Sequence, residues 1–498
     1  MNGEQAPSLR RQVLGGLFWK FGERILAQGI SFAVSIVLAR LIAPSEFGVI
    51  ALTWIFIALA NVFVVSGFAT ALVQNKDATD VDFSTNFHCS LAVSLVLYAA
   101  LFAAAPAIAD FYRIPQLSPV LRVMGLRLPI GAFSSIQHAW VERHMVFRKY
   151  FFSTLAGTLL SGVVGIAMAR CGFGVWALVG QQFTNVTVDV VVLFFTVPWH
   201  PRLEFSTASA KTMMSFGWKV LAADLSGTFF DQLRSLLVGK VYTPADLAFY
   251  NKGKSLPDLL TNNIGASLMT VLFPAIANIS DDRERVKAAL RKAVAVVAHV
   301  LFPCLAGLAA VAPSLVVVLY TEKWAPCVPY LVILCMASAV GLIGSVSLQS
   351  IKAIGRSDVL LKLEIYKKPV YLALLFVGVK NGVLAVAWTM LAYMVYGAFV
   401  NARQLKKLVG YGYREQIEDL APPMAIGAGL FAVARLVSLL HLSSPATLAW
   451  QSSVGATYFL SVSAMTKNRQ LGYLLSIVKN RRHGNGGGSP EERTTCQS

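Results

Sequence analysis

The sequence predicts an all-α integral membrane protein, and three observations lead there. Hydrophobic residues make up 56% of the chain and charged ones only 14%, whereas a soluble domain averages about 25% charged. Mean hydropathy is +0.62. The apolar residues gather into about fourteen runs, each near the roughly 20 residues a helix needs to cross a bilayer.

Taken in order, the runs cover 13–41, 47–73, 86–109, 117–140, 151–170, 174–197 and 213–240 in the first half. In the second half they cover 256–279, 292–319, 328–350, 359–379, 382–402, 421–441 and 446–465. The first follows Arg10 and Arg11 and is too long and continuous for a cleavable signal peptide. The second follows a Pro turn at Ala43-Pro44. The ninth is interrupted by Pro303 and Pro313, which membrane helices accommodate when neighbours re-satisfy the backbone. The longest loop is Gln404 to Leu420, so no soluble domain is inserted. The polar, Gly-rich end from Arg481 reads as disordered.

Residues 213–250 restart the chain. Trp218-Lys219 echoes Trp19-Lys20, and Thr243-Pro244-Ala245-Asp246 echoes Ala43-Pro44-Ser45-Glu46. Later matches keep the same order. Gln137-His138 aligns with Gln349-Ser350, and Gly174-Val175 with Gly382-Val383. A unit that recurs after six spans starts on the same side each time, so the two units are parallel repeats. The expected organisation is an N-lobe over 1–200, a C-lobe over 201–410, two further helices over 411–466 and a tail over 467–498.

The formal net charge of +18 would suggest nucleic acid in a soluble protein. Here the cations sit in short loops, with Lys76, Arg148 and Arg285 on one side and Arg113 and Lys323 on the other. With the N-terminus inside, the bias is roughly three to one toward the cytoplasm, which places both termini there. Nucleic-acid binding is set aside. The six cysteines show no zinc spacing and no disulfide framework; no metal or cofactor is expected.

Several stretches together resemble a known family. They are Leu41-Ile42-Ala43-Pro44-Ser45-Glu46-Phe47-Gly48, Gly172-Phe173-Gly174-Val175-Trp176, Ala248-Phe249-Tyr250-Asn251-Lys252, Phe273-Pro274-Ala275, Asp281-Asp282-Arg283-Glu284-Arg285 and Glu322-Lys323-Trp324. The chain resembles, over about residues 10 to 465, the Wzx-type polysaccharide flippases of the multidrug/oligosaccharidyl-lipid/polysaccharide superfamily, in the colanic and teichuronic acid branch. The resemblance implies two six-helix lobes around a central cavity, plus two extra helices. It implies a non-enzymatic transporter in the bacterial inner membrane. The cargo would be undecaprenyl-diphosphate-linked oligosaccharide, with membrane lipids, a polysaccharide polymerase and chain-length machinery as further partners.

A diphosphate needs fixed cations in a wet cavity, with Arg gripping through paired donors. A charge deep in a span normally faces a cavity or a partner. Arg24 and Lys20 lie one turn apart on the first run, Lys219 restarts that position, and Arg234, Arg122 and Arg127 complete the candidate set. Local pairing is the competing explanation, with Glu23 near Lys20 and Asp231 near Arg234. Asp224 suits a coupling cation, a proton or sugar hydroxyls, and equally a pair with Arg24 across helices. Glu364 is expected to pair locally with Lys367 and Lys368. His88, His138 and His299 read as structural. Trp54, Trp140, Trp176 and Trp388 suit sugar stacking but more readily mark the membrane interface. A cation-coupled multidrug or small-molecule antiporter of the same superfamily would favour acids in its cavity. A glycan polymerase or ligase would carry a periplasmic catalytic loop, which this sequence lacks.

Overall fold

The computed structural model describes residues 9–65, 79–144, 146–440 and 442–465. The end of the second predicted run, Lys76, the side chain of Lys20 and the tail fall outside the described residues. Fifteen α-helices account for the described chain, and no strand occurs among those residues. The first seven are α1 (Leu9–Leu41), α2 (Pro44–Val65), α3 (Asp80–Tyr112), α4 (Leu117–Gly125), α5 (Arg127–Arg143), α6 (Phe147–Arg170) and α7 (Val175–Thr196). Four long helices follow, α8 (Thr207–Val241), α9 (Pro244–Ala277), α10 (Arg283–Tyr320) and α11 (Val328–Ala353). The last are α12 (Ser357–Asn381), α13 (Val383–Val409), α14 (Tyr413–Leu436) and α15 (Ser444–Met465).

Each predicted run overlaps a helix. The fourth is divided between α4 and α5 at Leu126, and Pro129 falls in the first turn of α5, where its missing N–H costs no bond within that helix. The ninth is the single helix α10, which passes through Pro303 and Pro313. Nine helical segments among the described residues are long and apolar enough to cross a membrane.

The two Pro turns that echo each other close by the same chemistry. Glu46 reaches back to accept from Ala43 N at 3.4 Å. Asp246 accepts from Thr243 N at 3.1 Å, and Thr243 Oγ1 in turn accepts from Asp246 N at 3.2 Å. An acidic residue three positions on thus satisfies an orphan donor at each helix start. At Gly48 a Cβ would collide with the Pro244 carbonyl, so only glycine lets these two turns meet.

The chain forms two compact units, one up to Asn251 together with Leu319–Lys323, the other made of Lys252–Val318 and the chain from Trp324 onward. In the first unit, Lys323 Nζ donates to the carbonyls of Arg40 and Ile42 at 2.8 and 2.9 Å, and Arg40 Nε donates to Leu319 O at 2.9 Å. These cations meet the exposed carbonyls at helix C-termini, where the dipole favours positive charge. The connection between α7 and α8 is stitched to the start of α3. Ser84 Oγ accepts from Arg202 N at 3.2 Å and Thr85 Oγ1 from Ser206 N at 3.0 Å. In the second unit, Arg291 holds Asp419 through two bonds of 2.9 and 2.8 Å, and Tyr411 donates to the same carboxylate at 3.0 Å. Lys287 pairs with Glu415 at 2.7 Å, so the start of α14 is pinned to α10.

Candidate functional site

Inside the first unit, α2, α5, α6, α7 and α8 line a cavity of about 850 Å3. Small polar residues on α5 make room for it. Ser134 and Ser135 bond back to their own helix at 3.2 and 3.0 Å and leave short side chains at the wall. Asn61 of α2, Thr154 of α6, Asn185 of α7 and Thr228 of α8 supply hydroxyls and amides. Trp54 forms the largest aromatic surface of the wall.

Three charged groups and a histidine line the same space: Arg127, Glu142, Asp189 and His138. Asp189 Oδ2 lies 3.2 Å from His138 Nε2, and their side chains are 17% and 30% exposed, so the pair faces the cavity rather than the packed core. Ser153 donates its hydroxyl to the other oxygen of Asp189. The guanidinium of Arg127 donates to Gln182 O and Oε1, both at 3.0 Å, and sits 4.8 Å above the Trp54 ring. Two neighbours, Gln182 and Trp54, therefore hold one cation in place.

A second cavity of about 390 Å3 shares Asn185 with the first and includes Gln182, the partner of Arg127. It meets α2 at Phe47 and Ile50, α6 at Thr158 and Ser161, and α7 from Leu178 to Asn185. The first cavity meets those helices at Trp54–Val65, Tyr150–Gly157 and Asn185–Asp189. Along all three helices the cavities are therefore stacked end to end, with the Arg127–Gln182 contact where they join.

Of the candidate cations and Asp224 expected from sequence, Arg127 alone among the described residues lines this cavity. Arg122 turns instead to α3, bonding Phe102 O at 3.3 Å with its guanidinium 4.4 Å over the Phe102 ring. Arg234 is buried and donates to the Tyr250 hydroxyl at 3.0 Å. Arg24 is half-buried on α1, while Lys219 and Asp224 are exposed on α8. Lys20 belongs to α1 by its backbone. Lys367 pairs with Glu364 at 3.1 Å, the local contact the spacing suggests. Trp54, read from sequence as more readily an interface marker, belongs to the cavity wall. Asp189 escaped the sequence reading, although an acid within the run Val186-Thr187-Val188-Asp189-Val190-Val191 was its signal. His138 becomes chemically interesting only through that partner.

The family described as polysaccharide biosynthesis protein matches residues 37–329. The chain belongs to this family. Across its length it is similar to the succinoglycan biosynthesis transport protein ExoT of Rhizobium meliloti, at 25% identity over 82% of this chain and 80% of that one. It is similar to the lipopolysaccharide biosynthesis protein WzxC of Escherichia coli at 24%, over 84% and 85% of the two chains. The teichuronic acid biosynthesis protein TuaB of Bacillus subtilis matches at 23%, over 90% and 94%. Among solved structures, the lipid II flippase MurJ in an inward closed conformation shares the fold with a TM-score of 0.70, at 13% identity, over 91% of this chain and 98% of that one. An inward-facing multidrug resistance MATE transporter superposes with a TM-score of 0.55, over 77% and 98%, at 16% identity. This member of the polysaccharide biosynthesis family is thus a multi-pass membrane protein with a transporter fold.

Proposed function

We infer that this chain is a flippase that carries undecaprenyl-diphosphate-linked oligosaccharide units from the cytoplasmic to the periplasmic leaflet of the inner membrane. The units would feed exopolysaccharide or lipopolysaccharide synthesis. The observation that carries this reading is a cavity of about 850 Å3 whose largely apolar wall carries charged and hydrogen-bonding side chains, in a family of polysaccharide biosynthesis proteins. That volume falls in the range of roughly 300–1,000 Å3 that suits a small ligand such as a few sugar units. Alternating access of two parallel six-helix lobes would expose the cargo to each side in turn. Inside-negative potential would assist outward movement of the phosphates by about 2.3 kcal/mol per charge per 100 mV.

Within this reading Arg24, with Lys20, Lys219 and Arg234, holds the diphosphate. In cells that depend on this chain, Arg24→Glu is expected to leave lipid-linked units on the cytoplasmic leaflet while the protein still inserts. Arg24→Lys should retain part of the export, because the charge survives and the paired donors do not. Wild-type export by Arg24→Ala would remove the diphosphate role.

Orientation follows from the Lys and Arg bias. Reporter fusions at Arg148 and Arg285 should read cytoplasmic and those at Arg113 and Lys323 periplasmic. A fusion after Met465 that reads periplasmic would contradict an even number of spans.

One observation favours a second reading, a cation-coupled antiporter. The cavity wall carries two carboxylates, Asp189 and Glu142, against a single arginine. Proton-dependent exchange of an organic cation in liposomes, with no movement of lipid-linked sugar, would establish that reading instead.

A further inference from the structure

We propose that the two stacked cavities of the first unit form a carbohydrate subsite for uncharged sugar residues, with the diphosphate held elsewhere. The proposal rests on the flippase reading and adds the class of sugar and the residues that recognise it.

The charge inventory excludes the phosphates from this space. Among the described residues Arg127 is the only Lys or Arg in the wall of the larger cavity, and its guanidinium is already engaged with Gln182 and Trp54. The smaller cavity has no Asp, Glu, Lys or Arg among the described residues of its wall. A diphosphate placed here would face Asp189 and Glu142, with Arg127 already committed and His138 already paired with Asp189. Away from bulk water such like-charge contacts cost more than at an exposed surface, and they disfavour an anion here. The same carboxylates act against a uronic acid or any other acidic sugar.

What remains in the wall matches a neutral sugar. A hydroxyl both donates and accepts, so it needs neighbours of both kinds. Asn61, Asn185 and Thr154 offer both, and Asp189 and Glu142 add acceptors. In the smaller cavity seven of the twelve wall residues are uncharged serines, threonines, asparagines or glutamines, so hydroxyl recognition continues past the junction. Trp54 is 41% exposed and supplies an apolar plane for the C–H face of a sugar ring. Arg127 over that ring fixes its orientation, which makes Arg127 a positioning residue. Because the cavities follow one another along α2, α6 and α7, they suit successive sugars of one chain better than two separate ligands.

The test uses the full-length protein in liposomes with two probes. One is undecaprenyl diphosphate bearing a tetrasaccharide of glucose and galactose. The other carries the same tetrasaccharide with one glucose replaced by glucuronate. Wild type is expected to move the neutral probe at least tenfold faster. Trp54→Ala should slow the neutral probe at least tenfold, and Trp54→Phe less than threefold. Asp189→Asn should reduce the preference for the neutral probe below threefold, and Glu142→Gln should shift it the same way should Asp189→Asn fail to fold. Equal wild-type rates for both probes, or an unchanged rate in Trp54→Ala, would overturn the subsite while leaving the flippase reading standing. A folded wild type that moves neither probe would overturn the flippase reading itself.

Discussion

Gly48→Val is expected to abolish transport and to lower the thermal stability of the purified protein. A Cβ at Gly48 would run into the Pro244 carbonyl, which is backbone and cannot rotate aside. Both turns are braced. Glu46 caps the first, and Thr243 with Asp246 caps the second, so neither yields without losing hydrogen bonds. Overpacking of this kind costs about 1–3 kcal/mol, and valine, with two further methyl groups, falls at the upper end. The turns also sit beside the clip formed by Arg40 and Lys323, so the displacement reaches the ends of α1 and α2 together. Melting in detergent and flipping in liposomes check this. Wild-type values in both would show that the turns separate freely. Gly48→Ala should fall between the two.

Arg127→Leu is the second large effect. The substitution removes a charged donor from Gln182 O and Oε1 and leaves Trp54 without its cap. It also removes the attraction between Arg127 and Asp189 across the cavity. Loss of hydrogen bonds to a charged group at a partly buried site costs about 2–4 kcal/mol in total. Transport should fall with stability, because the Trp54 plane and the junction between the cavities both depend on this side chain. Arg127→Lys keeps the charge but not the planar guanidinium over Trp54, and should recover only part. Combining Arg127→Leu with Asp189→Asn removes both charges and should restore about 1 kcal/mol relative to the additive expectation. Purely additive losses would show that the two groups do not interact.

The helices were legible in the sequence because an apolar run of spanning length has few alternatives. Even the break in the fourth run had its signal in Pro129. The likeness of the two Pro turns was legible as well, but their contact at Gly48 and Pro244 was not, since a local pattern does not say what a turn meets. The cavity was not. Arg127 with Gln182 and His138 with Asp189 are contacts between residues far apart in the chain, and neither periodicity nor charge pattern specifies them. Counting cations in the spans suggested an anion site, yet a charge inside a span says nothing about which way it points. Arg122 and Arg127 illustrate this: five residues apart, one turns to Phe102 and the other to the cavity. Trp54 shows the same limit. Its position in the run fits an interface marker, and only the packing of α5 against α2 assigns it to the wall.

The central claim, that this chain moves lipid-linked sugar across a bilayer, is tested most directly by reconstitution. Purified full-length protein is placed in liposomes containing a fluorescent undecaprenyl-diphosphate-linked oligosaccharide, and arrival of sugar at the opposite leaflet is followed with a membrane-impermeant reagent. Protein-dependent arrival is expected under an inside-negative potential, reduced to background by Gly48→Val and Arg24→Glu. Sugar that stays on its original leaflet, in vesicles where the same protein exchanges an organic cation for protons, would contradict it.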